Sequence, residues 1–318
     1  MRVLAFTFAL SLAVTAASSH AQYPSKPIRL IVPNPPGGAT DTLGRLLSPK
    51  LGEALGQTVL VENRSGSNGN LATETVGKAT PDGYTMLLAA DAQIVISPHL
   101  YSMSVDPVKD LIPLSSLVST NMVLTVHPSL PVRNVQEFVE LMKKTKPPLA
   151  YGSIGNGSQH HLAMEMLKAR GGFDMTHIPY KGGGPATLAL IANEVQAAFG
   201  GNSVSGQIKA GKIRVLALAG RKRTPAYPDL PTISETYPGI EVTPWLGTFA
   251  PAGTPAPVLA RWRAETEKLL AEADVRAKLS GVGGLEPFIT TPEDYAALVR
   301  SEYEKYGQVV KQVGAKVD

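Results

Sequence analysis

Short apolar segments alternate with longer segments whose apolar residues recur every three or four positions along almost the whole chain. The first pattern is typical of buried strands and the second of amphipathic helices. Predicted strands are 28–32, 58–61, 84–89, 122–126, 149–151, 195–199 and 213–219. A predicted helix follows residue 38, and others are 135–144, 158–170, 185–193, 255–273, 274–280 and 292–313. This alternation predicts an α/β fold of mainly parallel sheets flanked by helices.

Two extended segments, 121–127 and 241–249, are long enough to cross between two sheets. A chain of 318 residues also exceeds one typical core of about 100–200 residues. We therefore expect two lobes with a cleft and a hinge between them. The crossings predict a first lobe at 23–122 plus 246–318 and a second lobe at 123–245.

The N-terminus has the pattern of an export signal. Arg2 precedes an apolar run at 3–17, and Ser19-His20-Ala21 places small residues at a cleavage site before Gln22. We expect a signal peptide at 1–21 and a periplasmic, soluble mature protein, since no later segment approaches the roughly 20 apolar residues of a membrane span. The chain has no cysteine, which excludes disulfides, thiolate nucleophiles and thiolate metal sites.

The net charge of +4 is mildly basic, which favours anionic ligands. The basic residues are spread evenly, and none of their clusters is interleaved with aromatic residues as in nucleic-acid-binding proteins. The short run Arg221-Lys222-Arg223 is typical of a solvated loop. We expect no nucleic-acid partner.

A glycine- and proline-rich turn at 33–41 separates the first strand from the first helix. The first N–H groups of a helix lack intrahelical partners, and glycines let a ligand approach the main chain, so this geometry favours an anion site. Thr40 or Asp41 is placed to cap the helix, and as a cap Asp41 would bind the helix N–H groups and orient the loop instead of contacting the ligand. A plain βα turn with a capped helix is the alternative. The candidate ligand-binding residues here are Asn34, Pro36, Gly37, Gly38, Ala39, Thr40 and Asp41.

A second turn at 152–158 repeats the arrangement of strand, glycine turn and helix. Its hydroxyl, amide and main-chain N–H groups suit carboxylate oxygens, and its spacing differs from the G-x-G-x-x-G dinucleotide fingerprint. The candidates in this turn are Ser153, Gly155, Asn156, Gly157 and Ser158.

Further candidates lie outside these two turns. Tyr180 and Lys181 precede three glycines and a helix, where the tyrosine could cover the cleft and the lysine could supply charge. A turn with a surface lysine is the alternative. Asp91 follows a strand at the cleft, where it could hold a ligand ammonium group or cap a turn.

Several segments have part of a catalytic motif but lack one of its essential residues. The segment 206–212 has phosphate-loop spacing but lacks the following Ser or Thr, and 201–205 lacks the last glycine of a nucleophile elbow. His161 and Glu165 have metal-ligand spacing without a recognisable third ligand. We expect neither an enzyme nor a metal or other cofactor.

These motifs, with Pro-Gly-Gly at 36–38, resemble those of the periplasmic solute-binding proteins of tripartite tricarboxylate transporters, called Bug receptors. The resemblance covers the mature chain and rests on blocks at 27–33, 36–38, 61–64, 81–85, 98–101, 151–153, 157–158, 161–162, 179–182, 210–212, 231–232 and 250–255. It implies a two-lobed type II periplasmic-binding-protein fold that closes on a small organic carboxylate. It also implies delivery to membrane permease subunits, with His161 supporting the second turn.

Two departures from the family pattern bear on the ligand. Asn34 stands where the family often has an aromatic residue, and Gly200-Gly201-Asn202 stands where many members place an acid. Gly200 and Asn202 complete the candidate site. These changes favour a larger or purely anionic ligand. An amino acid remains the alternative, because Asp91 could bind its ammonium group. We expect a monomer; a receptor for a signalling partner and a secreted hydrolase are the alternative functions.

Overall fold

The computed structural model describes residues 23–66, 69–201, 204–224, 227–281 and 285–316. The predicted signal peptide at 1–21 and the candidate Asn202 lie outside the described residues. No helix in the described part of the chain has the length and apolar character of a membrane span.

The strands belong to two separate sheets. They are β1 (Ile28–Val32), β2 (Val59–Asn63), β3 (Thr85–Ala90), β4 (Leu111–Ser119), β5 (Val123–Val126), β6 (Ala150–Ser153), β7 (Thr176–Pro179), β8 (Ala197–Gly200), β9 (Arg214–Leu218), β10 (Trp245–Pro251) and β11 (Glu286–Pro287). The first sheet has the order β11-β4-β10-β3-β1-β2, and the second has the order β7-β6-β8-β5-β9.

Helices flank both sheets. They are α1 (Ala39–Leu55), α2 (Asn70–Gly77), α3 (Pro107–Asp110), α4 (Val135–Lys144), α5 (Gln159–Gly171), α6 (Gly183–Ile191), α7 (Ser205–Lys209), α8 (Ala256–Ala271), α9 (Ala273–Gly281) and α10 (Pro292–Val313). A π-helical turn at Ala92–Ile96 and a 3₁₀ turn at Ser97–His99 follow β3, and a second 3₁₀ turn lies at Ile233–Glu235. The two-lobed α/β fold class predicted from the sequence is confirmed.

Both sheets are mixed, but most strands in each run in the same direction, as predicted: β1 to β4 in the first sheet, and all strands but β5 in the second. Strands β2-β1-β3 and β7-β6-β8 are parallel, as expected for strands joined through helices. Strand β10 runs antiparallel to β3 and β4, and β5 runs antiparallel to β8 and β9. The antiparallel strands β5 and β10 are those that contain the predicted crossings between the sheets.

The two sheets share one strand order once β11 is set aside. In this correspondence β6 takes the place of β1, and β5 takes the place of β10. The turns that follow β1 and β6 therefore occupy equivalent positions in the two lobes. This repeat explains why the same turn chemistry occurs twice along the sequence.

Apolar residues form a core in each lobe. In the first lobe, α1 and α8 cover one face of the sheet with Leu43, Leu47 and Trp262, and α10 covers the other with Tyr295 and Tyr306. The C-terminal helices thus complete the lobe begun at the N-terminus, as predicted. The division at 23–122 plus 246–318 and 123–245 stays a prediction.

Helix α5 connects the two cores. Leu162 belongs to the first-lobe cluster that contains Trp245 and Tyr306, whereas Leu167 belongs to the second-lobe cluster that contains Tyr151. A single helix of 13 residues therefore packs into both lobes.

Candidate functional site

A cavity of about 350 Å³ lies where the two lobes meet. Both glycine turns line it, together with the residues after β3 and the segments that cross between the lobes. The lining residues are Asn34, Ala39, Ala90, Asp91, Ala92, Gln93, Thr120, Ile154, Gly155, Asn156, Gly157, Ser158, Gln159, Pro244, Trp245, Leu246 and Leu285. The start of α1 and the start of α5 thus face one space from opposite lobes.

Asp41 orders the first turn, as predicted, although it does so without capping the helix. The N-cap of α1 is Gly38, with no side-chain cap. The Asp41 carboxylate accepts hydrogen bonds from Gly37 N–H, Arg45 Nε and Asn63 Nδ2, each at 2.9 Å. Burial raises the pKa of Asp41, but the hydrogen bonds from Arg45, Gly37 and Asn63 outweigh it and hold the pKa below its usual value. The carboxylate is therefore engaged by the protein and does not line the cavity.

Thr40 also binds the loop instead of capping the helix. Its hydroxyl donates to Asn34 Oδ1 at 2.6 Å, and Asn63 Nδ2 donates to the Asn34 carbonyl at 2.8 Å. Asn34 is thus held at the cavity wall from two sides. Since neither Thr40 nor Asp41 binds an N–H group in the first turn of α1, those groups are left for a ligand.

The hydroxyl groups of the second turn hold the turn together. Ser158 is the N-cap of α5, where it accepts from His161 N–H at 3.3 Å and donates to the Gly155 carbonyl at 2.7 Å. Ser153 is buried, with its Oγ 3.0 Å from the Gly155 carbonyl oxygen and 3.1 Å from the Gly155 nitrogen. Ser158 lines the cavity and Ser153 does not. The N–H groups of Gly155 and Ser158 are also bonded within the turn, and Asn156 is exposed at the cavity.

Two histidines support the second turn from below. His161 Nδ1 accepts a hydrogen bond from Gly157 N–H at 3.1 Å, and His177 Nε2 lies 2.7 Å from Ser153 Oγ. Their rings stack with centroids 4.0 Å apart. Burial lowers the pKa of both imidazoles, that of His177 to about 4. His161 has a supporting position, as the family resemblance implied, while His177 was missed because only the β6–β7 pairing brings it there.

Asp91 is a buried acceptor between the lobes, with 1% of its surface exposed. Its carboxylate accepts from Ala92 N–H at 2.8 Å, from Trp245 N–H at 3.3 Å and from the Gln159 carboxamide. Burial and the neighbouring Glu302 raise its pKa. The sequence left two roles for Asp91, binding of a ligand ammonium group or capping of a turn. The structure shows the second, because Asp91 caps the π-helical turn.

The remaining candidates lie away from the cavity wall. Pro36, Gly37 and Gly38 form the outer part of the first turn, and Lys181 is exposed. Tyr180 packs beside Gly152 and donates its N–H to the Ser153 carbonyl at 3.0 Å. Gly200 lines a separate cavity of about 240 Å³ in the second lobe, which shares Ile154 with the first.

Gln159 and Trp245 are the main site residues that the sequence did not reveal. Gln159 follows the predicted second turn, and Trp245 begins β10 in the crossing segment. Trp245 Nε1 donates to Glu302 at 2.7 Å, which fixes the indole. The only sequence signal for these two residues was that Trp245 is an aromatic residue in a crossing segment. Among the described residues, no group of three or more His, Asp and Glu side chains is arranged to hold a metal ion.

Two lobes with equivalent sheets, and a cavity bounded by one helix N-terminus from each, define a two-lobed receptor of the type II periplasmic-binding-protein class. The particular family is shown by sequence. The model of the tripartite tricarboxylate transporter family receptors matches residues 43–315, and the chain belongs to this family.

Relatives and solved structures support this assignment. The chain is 33% identical to Protein BugT of Bordetella pertussis, an alignment that covers 98% of this chain and 96% of the relative. It is similar to the structure of R. palustris Rpa4515 with adipate, with 32% identity, a TM-score of 0.78 and coverage of 92% and 99% of the two chains. It is also similar to MatC from Rhodopseudomonas palustris with bound malate, with 30% identity, a TM-score of 0.73 and coverage of 91% and 100%.

Proposed function

We propose that this protein is a periplasmic, non-enzymatic receptor that captures a small organic carboxylate by hinge closure and delivers it to the membrane permease of a tripartite tricarboxylate-type transporter. The observation that carries the proposal is the cavity shared by the N-termini of α1 and α5. Unpaired N–H groups and the positive ends of two helix dipoles there favour an anion.

The topology supports the proposed hinge. Strands β5 and β10 contain the segments that cross between the sheets, so the lobes would be 23–122 plus 246–318 and 123–245. A carboxylate that bridges the two helix N-termini makes charge-assisted hydrogen bonds only in the closed state. Since a ligand shifts an equilibrium by its differential affinity for the two states, such bridging would drive closure.

The surroundings of Asp91 favour a ligand without an ammonium group. Three protein donors already engage its carboxylate, and its side chain is buried. The similar structures with adipate and malate contain aliphatic dicarboxylates. We therefore place this ligand among purely anionic carboxylates and expect amino acids to bind more weakly.

The hydrolase alternative has one observation in its favour, the contact between Ser153 Oγ and His177 Nε2. The serine has only 1% of its surface exposed, and its hydroxyl is already directed to the Gly155 carbonyl. A nucleophile needs access to substrate and a base that takes its proton. We therefore assign this contact to the support of the turn.

Export and assembly complete the proposal. We propose that cleavage before Gln22 releases a monomer into the periplasm. A receptor that serves a signalling partner would use the same site, and co-purification with permease or sensor subunits distinguishes the two.

A thermal-shift screen of the mature protein tests the proposal. The panel contains adipate, malate, hydroxy acids, aromatic acids and amino acids. A ligand at about 100 times its dissociation constant adds about 2.7 kcal/mol to the free energy of unfolding, which is a clear rise in melting temperature. If the melting temperature responds to no carboxylate in the panel, the proposal is wrong.

A further inference from the structure

A pair of stacked imidazoles lies directly beneath the second glycine turn. The His161 ring on α5 and the His177 ring on β7 are parallel to within 4°, with their centroids 4.0 Å apart. Tyr151 on β6 stacks on His177 at 4.9 Å. Each histidine contacts a different part of the turn, so the pair holds the turn from both ends.

The hydrogen bond from Gly157 defines the protonation of His161. Gly157 N–H donates to His161 Nδ1, which therefore carries no proton. Ser153 Oγ lies within hydrogen-bond distance of the Gly155 carbonyl, of Gly155 N–H and of His177 Nε2. His161 is consequently neutral, and burial favours the neutral form of His177.

We propose that His161 and His177 are positioning residues that, as a neutral pair, keep the main chain of 153–158 in its anion-receiving conformation, and that uptake of a proton by the pair releases the turn. The consequence for ligand binding rests on the function proposed above. The consequence for the turn itself does not.

Protonation of His161 acts directly on the turn. The ring nitrogen that can take up a proton is Nδ1, which accepts the hydrogen bond from Gly157 N–H. The added proton would place a second N–H donor opposite Gly157 N–H and break this hydrogen bond. The stacking distance of 4.0 Å also means that a charge on one ring disfavours a charge on the other. A proton on His161 therefore breaks the support, and a second proton on the pair is resisted.

Burial outweighs the charged neighbours of the pair, of which Glu165 raises and Lys168 lowers the pKa of both rings. Glu165 and Lys168 lie near both rings, and their opposite charges form an ion pair at 2.8 Å. Tyr151 Oη donates to the same Glu165 carboxylate, and Lys168 also contacts Asp174 at 3.3 Å. Burial lowers the pKa of both histidines from 6.5, that of His177 to about 4. The neutral pair thus persists at neutral pH and is lost only as the pH falls below the ordinary histidine range.

Amide exchange of the ligand-free protein tests this, with the pH lowered from about 7.5 to about 4 across the histidine range. The Gly157 amide should be protected at neutral pH and lose protection on acidification. His161→Phe keeps a stacked ring without an acceptor, so Gly157 should exchange about tenfold faster at every pH, as expected for loss of about 1.4 kcal/mol. His161→Asn keeps an acceptor that does not titrate, and Gly157 should stay protected throughout. His127→Gln, on a partly exposed histidine of the second lobe whose ring contacts Ser129 and not the turn, is the control and should follow the wild type.

Ligand binding is measured on the same variants with adipate and malate. His161→Phe should lose about tenfold in affinity at neutral pH, and His161→Asn should recover it. Unchanged Gly157 exchange in His161→Phe, or loss of Gly157 protection on acidification in His161→Asn, would overturn the inference. Because exchange needs no ligand, a failure of both acids to bind contradicts the proposed function while the exchange result still decides the role of the pair.

Discussion

The carboxylate of Asp91, at the end of β3 in the first lobe, accepts a hydrogen bond from the carboxamide of Gln159, at the start of α5 in the second lobe. The same carboxylate oxygen accepts from the main-chain N–H of Trp245 in the crossing strand β10. One buried oxygen therefore links the helix behind the second turn to a strand that connects the lobes. A rotation of the lobes has to pivot close to this contact or break it.

A double-mutant cycle measures this link. Asp91→Ala leaves the Gln159, Trp245 and Ala92 donors without their acceptor, which should cost about 1–3 kcal/mol in the free energy of unfolding. Gln159→Ala should cost less, because the carboxylate keeps its other donors. Urea unfolding of both single variants and the double variant should give a combined loss smaller than the sum. Strictly additive losses would show that the two side chains are not coupled.

Gly38→Val should abolish carboxylate binding and leave the fold intact. A Cβ at this position would lie 2.5 Å from the Asn34 Cβ, so the substitution must displace the cavity wall. Isothermal titration with the acid found by the thermal-shift screen gives the affinity, and circular dichroism checks the fold. Gly184→Val is the matched control, because its Cβ would meet nothing within 4 Å and it lies away from the cavity. Retained affinity in Gly38→Val would remove the first turn from the site.

The two glycine turns at the cavity were predictable because glycine, proline and helix-start signals are local in sequence. The hydrogen bonds that hold these turns in place were not predictable. Asn63, His177 and Gln159 reach their partners only through strand pairing or contact between the lobes. The orientation of β5 and β10 was missed for the same reason, since an apolar strand carries no local sign of whether its neighbours are parallel or antiparallel.

Asp41→Asn should lower stability at neutral pH and have little effect in acid. The folded-state pKa of Asp41 lies below its usual value, because its hydrogen bonds outweigh burial. Its contribution is therefore present above the unfolded-state pKa of about 3.9 and is lost as the pH falls through the folded-state pKa.

Urea unfolding across this pH range measures the effect of Asp41. We expect a loss of about 1–2 kcal/mol at neutral pH that shrinks on acidification. Glu140→Gln, which removes an exposed ion pair with Lys143, is the control and should leave the unfolding midpoint unchanged. A difference between wild type and Asp41→Asn that stays constant with pH would contradict this explanation.

The two lobes should unfold together because α5 contributes to both cores. Leu162 is fully buried in the first-lobe cluster, so Leu162→Ala should cost about 2–5 kcal/mol and lower a single melting transition. Leu188→Ala is the control, because that side chain is 67% exposed and its loss should change stability by less than about 0.5 kcal/mol. Differential scanning calorimetry provides the measurement. Two separate transitions in the wild-type protein, with only one moved by Leu162→Ala, would show that α5 does not couple the lobes.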